Sequence, residues 1–90
     1  MNKTKTSWRE LLSEELLDSG EYWHDVEANT MTNDDMDKEF YSGFGSPNGC
    51  DFTVWTKSRV YFPVTYDGSE WVGSVPRNPN GEKTSHVGGC

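Results

Sequence analysis

The chain has 90 residues, 32% of them hydrophobic, and a formal net charge of −7. That length allows one small domain near the lower limit for a self-sufficient core, but four Trp, four Tyr and four Phe argue against disorder, since each buried aromatic removes about 150–250 Å² from water. No apolar run approaches the roughly 20 residues of a membrane span, and the polar N-terminus lacks the apolar core of a signal peptide, so a membrane partner is excluded and synthesis in the cytoplasm is expected.

Residues 1–6 read as a polar lead, followed by an acidic helical half at 7–42. Ser7-Trp8-Arg9-Glu10 fits a capping box, in which Ser7 accepts from the Glu10 N–H while Glu10 reaches back. The helix that follows is predicted from Trp8 to about Ser19. Trp8, Leu11, Leu12 and Leu16 recur at helical spacing, Leu17 widens the stripe, and Gly20 suits the position just past the end. Glu21 to Ala28 reads as a second short helix. A third is predicted from Asp34 to Ser42, capped by Thr32 or Asn33, burying Met36 and Phe40 and stopped by Gly43.

Residues 43–51 read as a loop and 52–75 as an antiparallel meander of three strands. Asp67-Gly68 between two β-rich runs is a strong hairpin signal, because a type I′ turn needs positive φ at both central residues. It pairs Tyr66 with Ser69, Val64 with Trp71, Phe62 with Gly73 and Val60 with Val75. Gly73 leaves room for the Phe62 ring to lie across the neighbouring strand. A two-residue return at Lys57-Ser58 sets Trp55 opposite Val60, and a longer loop with a slipped register is the alternative. After Pro76, residues 76–90 have the composition of an exposed, flexible tail.

Period-two alternation puts Val60, Phe62, Val64, Tyr66, Trp71 and Val75 on one face, and Phe52, Val54, Tyr61, Pro63 and Val72 on the other, flanked by Arg59 and Glu70. Both faces are apolar, whereas a one-sided sheet is polar where it meets water. Either the helices cover one face and a partner covers the other, or the helices reach around both. The first arrangement packs Trp8, Leu11, Leu12 and Leu16 on Phe62, Val64 and Trp71. It leaves Phe52, Val54, Tyr61 and Val72 as an oligomer interface, most simply of a homodimer.

Charge placement is the main functional signal. Residues 10–45 hold eleven carboxylates against Lys38, a net −10, while residues 1–9 carry +3 and residues 46–90 sum to zero. A concentrated negative field attracts a basic surface and repels nucleic acid, so direct nucleic-acid binding is disfavoured. Glu14, Glu15, Asp18, Glu21, Asp25, Glu27, Asp34, Asp35 and Asp37 are the candidate partner-binding residues, against the plainer alternative of a solvated acidic surface.

No catalytic residue, metal site or cofactor emerges. The run Asn33 to Glu39 alternates carboxylates but lacks the glycine and distal glutamate of a calcium loop. His24 and Asp25 are adjacent, so a helix would point them about 100° apart. Gly43, Gly45 and Gly49 match no phosphate-binding loop. Cys50 and Cys90 read as free thiols in a reducing compartment, or as a disulfide only after oxidation.

Several stretches together resemble small accessory proteins of tailed bacteriophages. They are Trp8-x-x-Leu11-Leu12, Phe52-Thr53-x-Trp55-Thr56, Arg59-Val60-Tyr61-Phe62-Pro63, Tyr66-Asp67-Gly68-x-Glu70-Trp71-Val72 and Ser74-Val75-Pro76-Arg77. The resemblance covers most of the chain and carries no catalytic residue with it. It implies an origin in the cytoplasm of a bacterial host. By analogy of size and charge it implies a non-enzymatic inhibitor of a basic host or anti-phage defence protein, in some such proteins through imitation of DNA. The competing expectation is a structural or assembly protein that oligomerises through its aromatic sheet. The fold class expected is α+β, with two or three short N-terminal helices packed on the three-stranded meander.

Overall fold

A computed structural model describes residues 4–42, 49–66 and 69–86. Helix α1 spans Trp8–Asp18 and begins where Ser7, in extended backbone, accepts from the Glu10 N–H at 3.3 Å. It ends in a Schellman arrangement: the Gly20 N–H donates to Leu17 O and the Glu21 N–H to Leu16 O. Gly20 sits at φ 79°, a left-handed geometry that a Cβ would strain, so the chain turns here on a glycine.

Past Gly20 the second helix expected over Glu21 to Ala28 does not form. The Asp25 carboxylate accepts from the Tyr22 N–H, and the Asp25 N–H bonds back to Tyr22 O, closing a single 3₁₀ turn at Trp23–Asp25. The chain then extends as β2, Val26–Asn29, against the edge of β4, Val54–Thr56, with an irregularity between Val26 and Ala28. Pairing wins because β4 would otherwise leave backbone donors and acceptors unmatched beside the core, while an isolated eight-residue helix is barely stable.

Helix α2 is Asn33–Asp37, shorter than expected, with Thr32 and Asp35 capping each other's backbone N–H groups. It stops before Phe40 because that residue belongs to β3, Phe40–Ser42, which pairs antiparallel with β1, Thr4–Thr6. Residues 4–6 are thus a strand and not part of a polar lead. Phe40 is buried as expected, but from a strand, with its ring 5.0 Å from that of Trp8.

Strands β5, Arg59–Tyr66, and β6, Ser69–Pro76, form the long hairpin. The register matches the alternation: Val60 opposes Val75, Phe62 opposes Gly73, Val64 opposes Trp71 and Tyr66 opposes Ser69. The Asp67-Gly68 turn expected to set it lies outside the described residues. Trp55 opposes Val60, so the return at Lys57-Ser58 has two residues. A Cβ built on Gly73 would fall 3.0 Å from the Phe62 ring, which confirms that this glycine makes room for it. The architecture is α+β, with two α-helices, a β1-β3 sheet and a β2-β4-β5-β6 sheet among the described residues. The expected meander is three strands of that four-stranded sheet.

The two faces are used the other way round from the expectation. Helix α1 places Trp8, Leu12 and Leu16 on the face of Phe52, Val54, Tyr61 and Val72, and Met31, Met36 and Phe40 complete that core. All four residues expected to form an oligomer interface are therefore interior, Tyr61 being 0% and Val72 2% exposed. Arg59 and Glu70, which flank that face, both find partners within the chain. Glu70 is 5% exposed and accepts from the Gly49 N–H, while Arg59 reaches Ser74 and Glu82. Leu17 does not widen the buried stripe but stands 61% exposed. Residues 77–86 are exposed as expected, and are held at Arg77, whose N–H donates to Ser58 O, and at Glu82 through Arg59.

Candidate partner-binding surface

Five of the nine candidate carboxylates are committed within the chain. Asp37 takes a forked pair of hydrogen bonds from the Arg9 guanidinium, which holds its carboxyl below the usual range. Glu27 pairs with Arg77 at 2.6 Å. Asp25 and Asp35 cap the turn and the helix that follow Tyr22 and Thr32. Glu21 accepts from the Tyr61 hydroxyl and, at 3.0 Å, from the Thr56 hydroxyl.

That last group is a structural device the sequence did not reveal. Tyr61 and Thr56 are fully buried, so their hydroxyls need acceptors. Glu21, delivered by the Gly20 turn, supplies both from the rim of the core. Burial first, and then the Glu21 acceptor, push the Tyr61 phenol far above its ordinary range. The tyrosine is a donor here and stays protonated. Nearby, Arg59 holds the Glu82 carboxyl low through a two-point ion pair.

Glu14, Asp18 and Asp34 are exposed, and their carboxylates make no hydrogen bond or ion pair to another described residue. Glu15 is half-buried, and burial raises its carboxyl pKa; Asp18 adds to the rise while Arg59 opposes it. Glu14, Glu15 and Asp18 thus gather at the C-terminal end of α1, where no basic residue occupies the last turn. Leu17 projects beside Glu14, while Glu15 lies on the other side of the helix, towards Arg59.

The α2 acids lie elsewhere. Asp37 is tied to Arg9 at the start of α1, about 14 Å along the helix axis from Asp18 at 1.5 Å per residue. That exceeds a Debye length at physiological salt, so Asp37 and Asp18 are largely screened from each other.

Other candidate chemistry stays bare. Among the described residues, no three His, Cys, Asp or Glu side chains converge to hold a metal, and the Asn33 to Glu39 run is a capped helix start. His24 is exposed, 3.7 Å from Asp25 and stacked on Tyr22. Cys50 is an exposed free thiol, with its carbonyl accepting from the Trp8 indole, and Cys90 lies outside the described residues. No described helix is long and apolar enough to cross a membrane. No family model, curated protein or solved structure matches the chain.

Proposed function

We propose that the protein is a non-catalytic binding module that engages a basic protein surface through the C-terminal end of α1, with the exposed Glu14, Leu17 and Asp18 as its contact residues. The observation carrying this reading is the placement of acids where the fold gains nothing from them. The helix macrodipole leaves partial negative charge at that end, so carboxylates there cost about 0.3–1 kcal/mol each and a cation would be stabilising. Arg59 partly offsets Glu15, but no described lysine or arginine pairs with Glu14 or Asp18. A partner's lysines or arginines would relieve the repulsion, and the exposed Leu17 beside Glu14 supplies an apolar anchor.

The resemblance to phage accessory proteins makes the partner a basic host or anti-phage defence protein. Inhibition then follows from covering its nucleic-acid-binding surface. Asp34, Asp35 and Asp37 contribute long-range attraction at most.

The test is affinity capture from a bacterial lysate across a salt series. It uses the wild type, a Glu14→Lys/Asp18→Lys variant and an Asp34→Lys/Asp35→Asn variant. The reading expects a salt-sensitive basic protein captured by the wild type and the α2 variant and lost by the α1 variant. Equal capture by all three would overturn it.

A further inference from the structure

Past Pro76 the chain returns along β6, the last strand of the four-stranded sheet. Its course is fixed first at Arg77, whose N–H donates to Ser58 O at 2.8 Å and whose guanidinium reaches Thr56 O and Glu27. Asn80 then accepts from the Glu82 N–H, and Gly81 adopts φ 84°, a short turn that aims Glu82 at Arg59. Residues 82–86 border a groove of about 390 Å³ whose opposite side is Arg59 and β6 from Trp71 to Ser74. We infer that residues 78–86 are a releasable guard over the open edge of β6, clipped shut by the Arg59–Glu82 ion pair.

The edge carries donors that the sheet does not match. The Arg77 N–H bond to Ser58 sets the alternation along the hairpin, so Val60–Val75 and Phe62–Gly73 are its hydrogen-bonded pairs. Tyr61–Ser74 and Pro63–Val72 lie between them, and the N–H groups of Val72 and Ser74 therefore point away from β5, on the side of the groove. No described residue of 78–86 accepts from either. Two such donors, about 6.8 Å apart on a strand of eight residues, are a template for any extended chain. Covering segments and charges are the means by which sheets block that pairing.

The clip is one contact, prepared on the sheet side. Ser74 holds Arg59 from behind, with Nε–H donating to its Oγ at 2.9 Å and Nη2 to its carbonyl at 3.3 Å. The end of the guanidinium is left to fork onto Glu82, each bond being 3.1 Å. Nothing else ties the segment down. Residues 77–86 are exposed, and Glu82 makes the only hydrogen bonds or ion pair between the described residues 78–86 and the rest of the described chain. Release strands no charge, because Arg59 keeps Ser74 and the nearby Glu15 and Glu21 carboxylates. The ladder beneath and the Arg77 anchor do not depend on the clip.

This inference does not rest on the α1 reading, since neither Glu14 nor Asp18 takes part in the clip.

The experiment is backbone amide relaxation and hydrogen exchange by NMR on the wild type, Glu82→Gln and Lys83→Gln. Lys83 borders the groove without forming an ion pair to a described residue, so its variant alters the segment's charge and leaves the clip intact. The wild type and Lys83→Gln are expected to show order parameters above about 0.6 over residues 80–83, and Glu82→Gln values below that. Exchange at the Val72 and Ser74 amides is expected to rise about two- to fivefold in Glu82→Gln, the range that a single exposed pair supports. Gly73 and Val75, bonded to β5, should not change, which also shows that the variant is folded.

A wild type with order parameters below about 0.6 over residues 80–83 overturns the proposal without any variant. Glu82→Gln matching the wild type, in order parameters or in exchange at Val72 and Ser74, overturns it as well. An equal rise at Gly73 and Val75 does the same, since the whole sheet would then be opening. Lys83→Gln loosening the segment as much as Glu82→Gln also refutes it, because general charge and not the clip would be holding the guard.

Discussion

Val72→Ala and Val75→Ala are the same chemical change made three residues apart on β6, on opposite faces of the sheet. Val72 is 2% exposed and packed in the cluster with Leu12, Val54 and Tyr61, whereas Val75 is half-buried on the outer face opposite Val60. Removing two carbons from Val72 forfeits about 1.6 kcal/mol of transfer free energy, at about 0.8 kcal/mol per carbon. A residual cavity of about 40 Å³ adds up to about 1 kcal/mol. The loss of strand propensity is common to both variants and cancels in the comparison.

Val72→Ala should therefore cost about 2 kcal/mol and Val75→Ala under about 1 kcal/mol. A domain of 90 residues is held by about 5–13 kcal/mol, so a loss of that size lowers Tm by about 8–16 °C. Thermal and urea unfolding measure both. If Val75→Ala proves as costly as Val72→Ala, or costlier, the assignment of inner and outer faces is wrong.

Leu12→Ala, at a fully buried position, should cost about 2–5 kcal/mol, while Leu17→Ala on the same helix should stay within about 0.5 kcal/mol; matching urea midpoints would contradict the orientation of α1. Tyr61→Phe removes a donor to Glu21 that Thr56 only partly replaces, so a loss of about 1–2 kcal/mol is expected in the same assay, and no loss would mean the pair contributes nothing. Two variants probe pH with opposite signs. The Asp37 carboxyl is lowered by Arg9, so its contribution exists above the unfolded pKa and is lost as pH falls through the native one. Asp37→Asn should lower Tm at pH 7 and converge on the wild type as pH falls through the lowered native value. The Glu15 carboxyl is raised, chiefly by burial, so its protonated form favours the native state below the unfolded value of about 4.3, and that contribution is lost as pH rises through the native one. Glu15→Gln should raise Tm at pH 7, with the advantage gone below about pH 4; a lower Tm at pH 7 would show that Arg59 outweighs burial.

Local chemistry alone determined a good part of the molecule. Ser7 and Gly20 bracket α1 because a side-chain acceptor and a left-handed residue act within one turn of chain. The pairings from Val60–Val75 to Tyr66–Ser69 follow from strict alternation around a two-residue connection, and Gly73 beneath Phe62 follows from the same register. What failed was whatever depended on the distant partner. Val26–Asn29 became a strand because β4 had an open ladder, and Phe40 left its helix because β1 and Trp8 were waiting for it. The choice of face could not be read from alternation, since both faces are apolar and period two says only which residues go together. Three-dimensional contacts made the choice: Tyr61 and Thr56 find an acceptor in Glu21, and Glu70 finds the Gly49 N–H, only on the side where α1 lies. The acidic count was likewise plain in the sequence, but ion pairs and caps across the fold decided which carboxylates remain unengaged. Charge adds along a chain whatever its shape, whereas the field it makes depends on where the chain brings each group to rest.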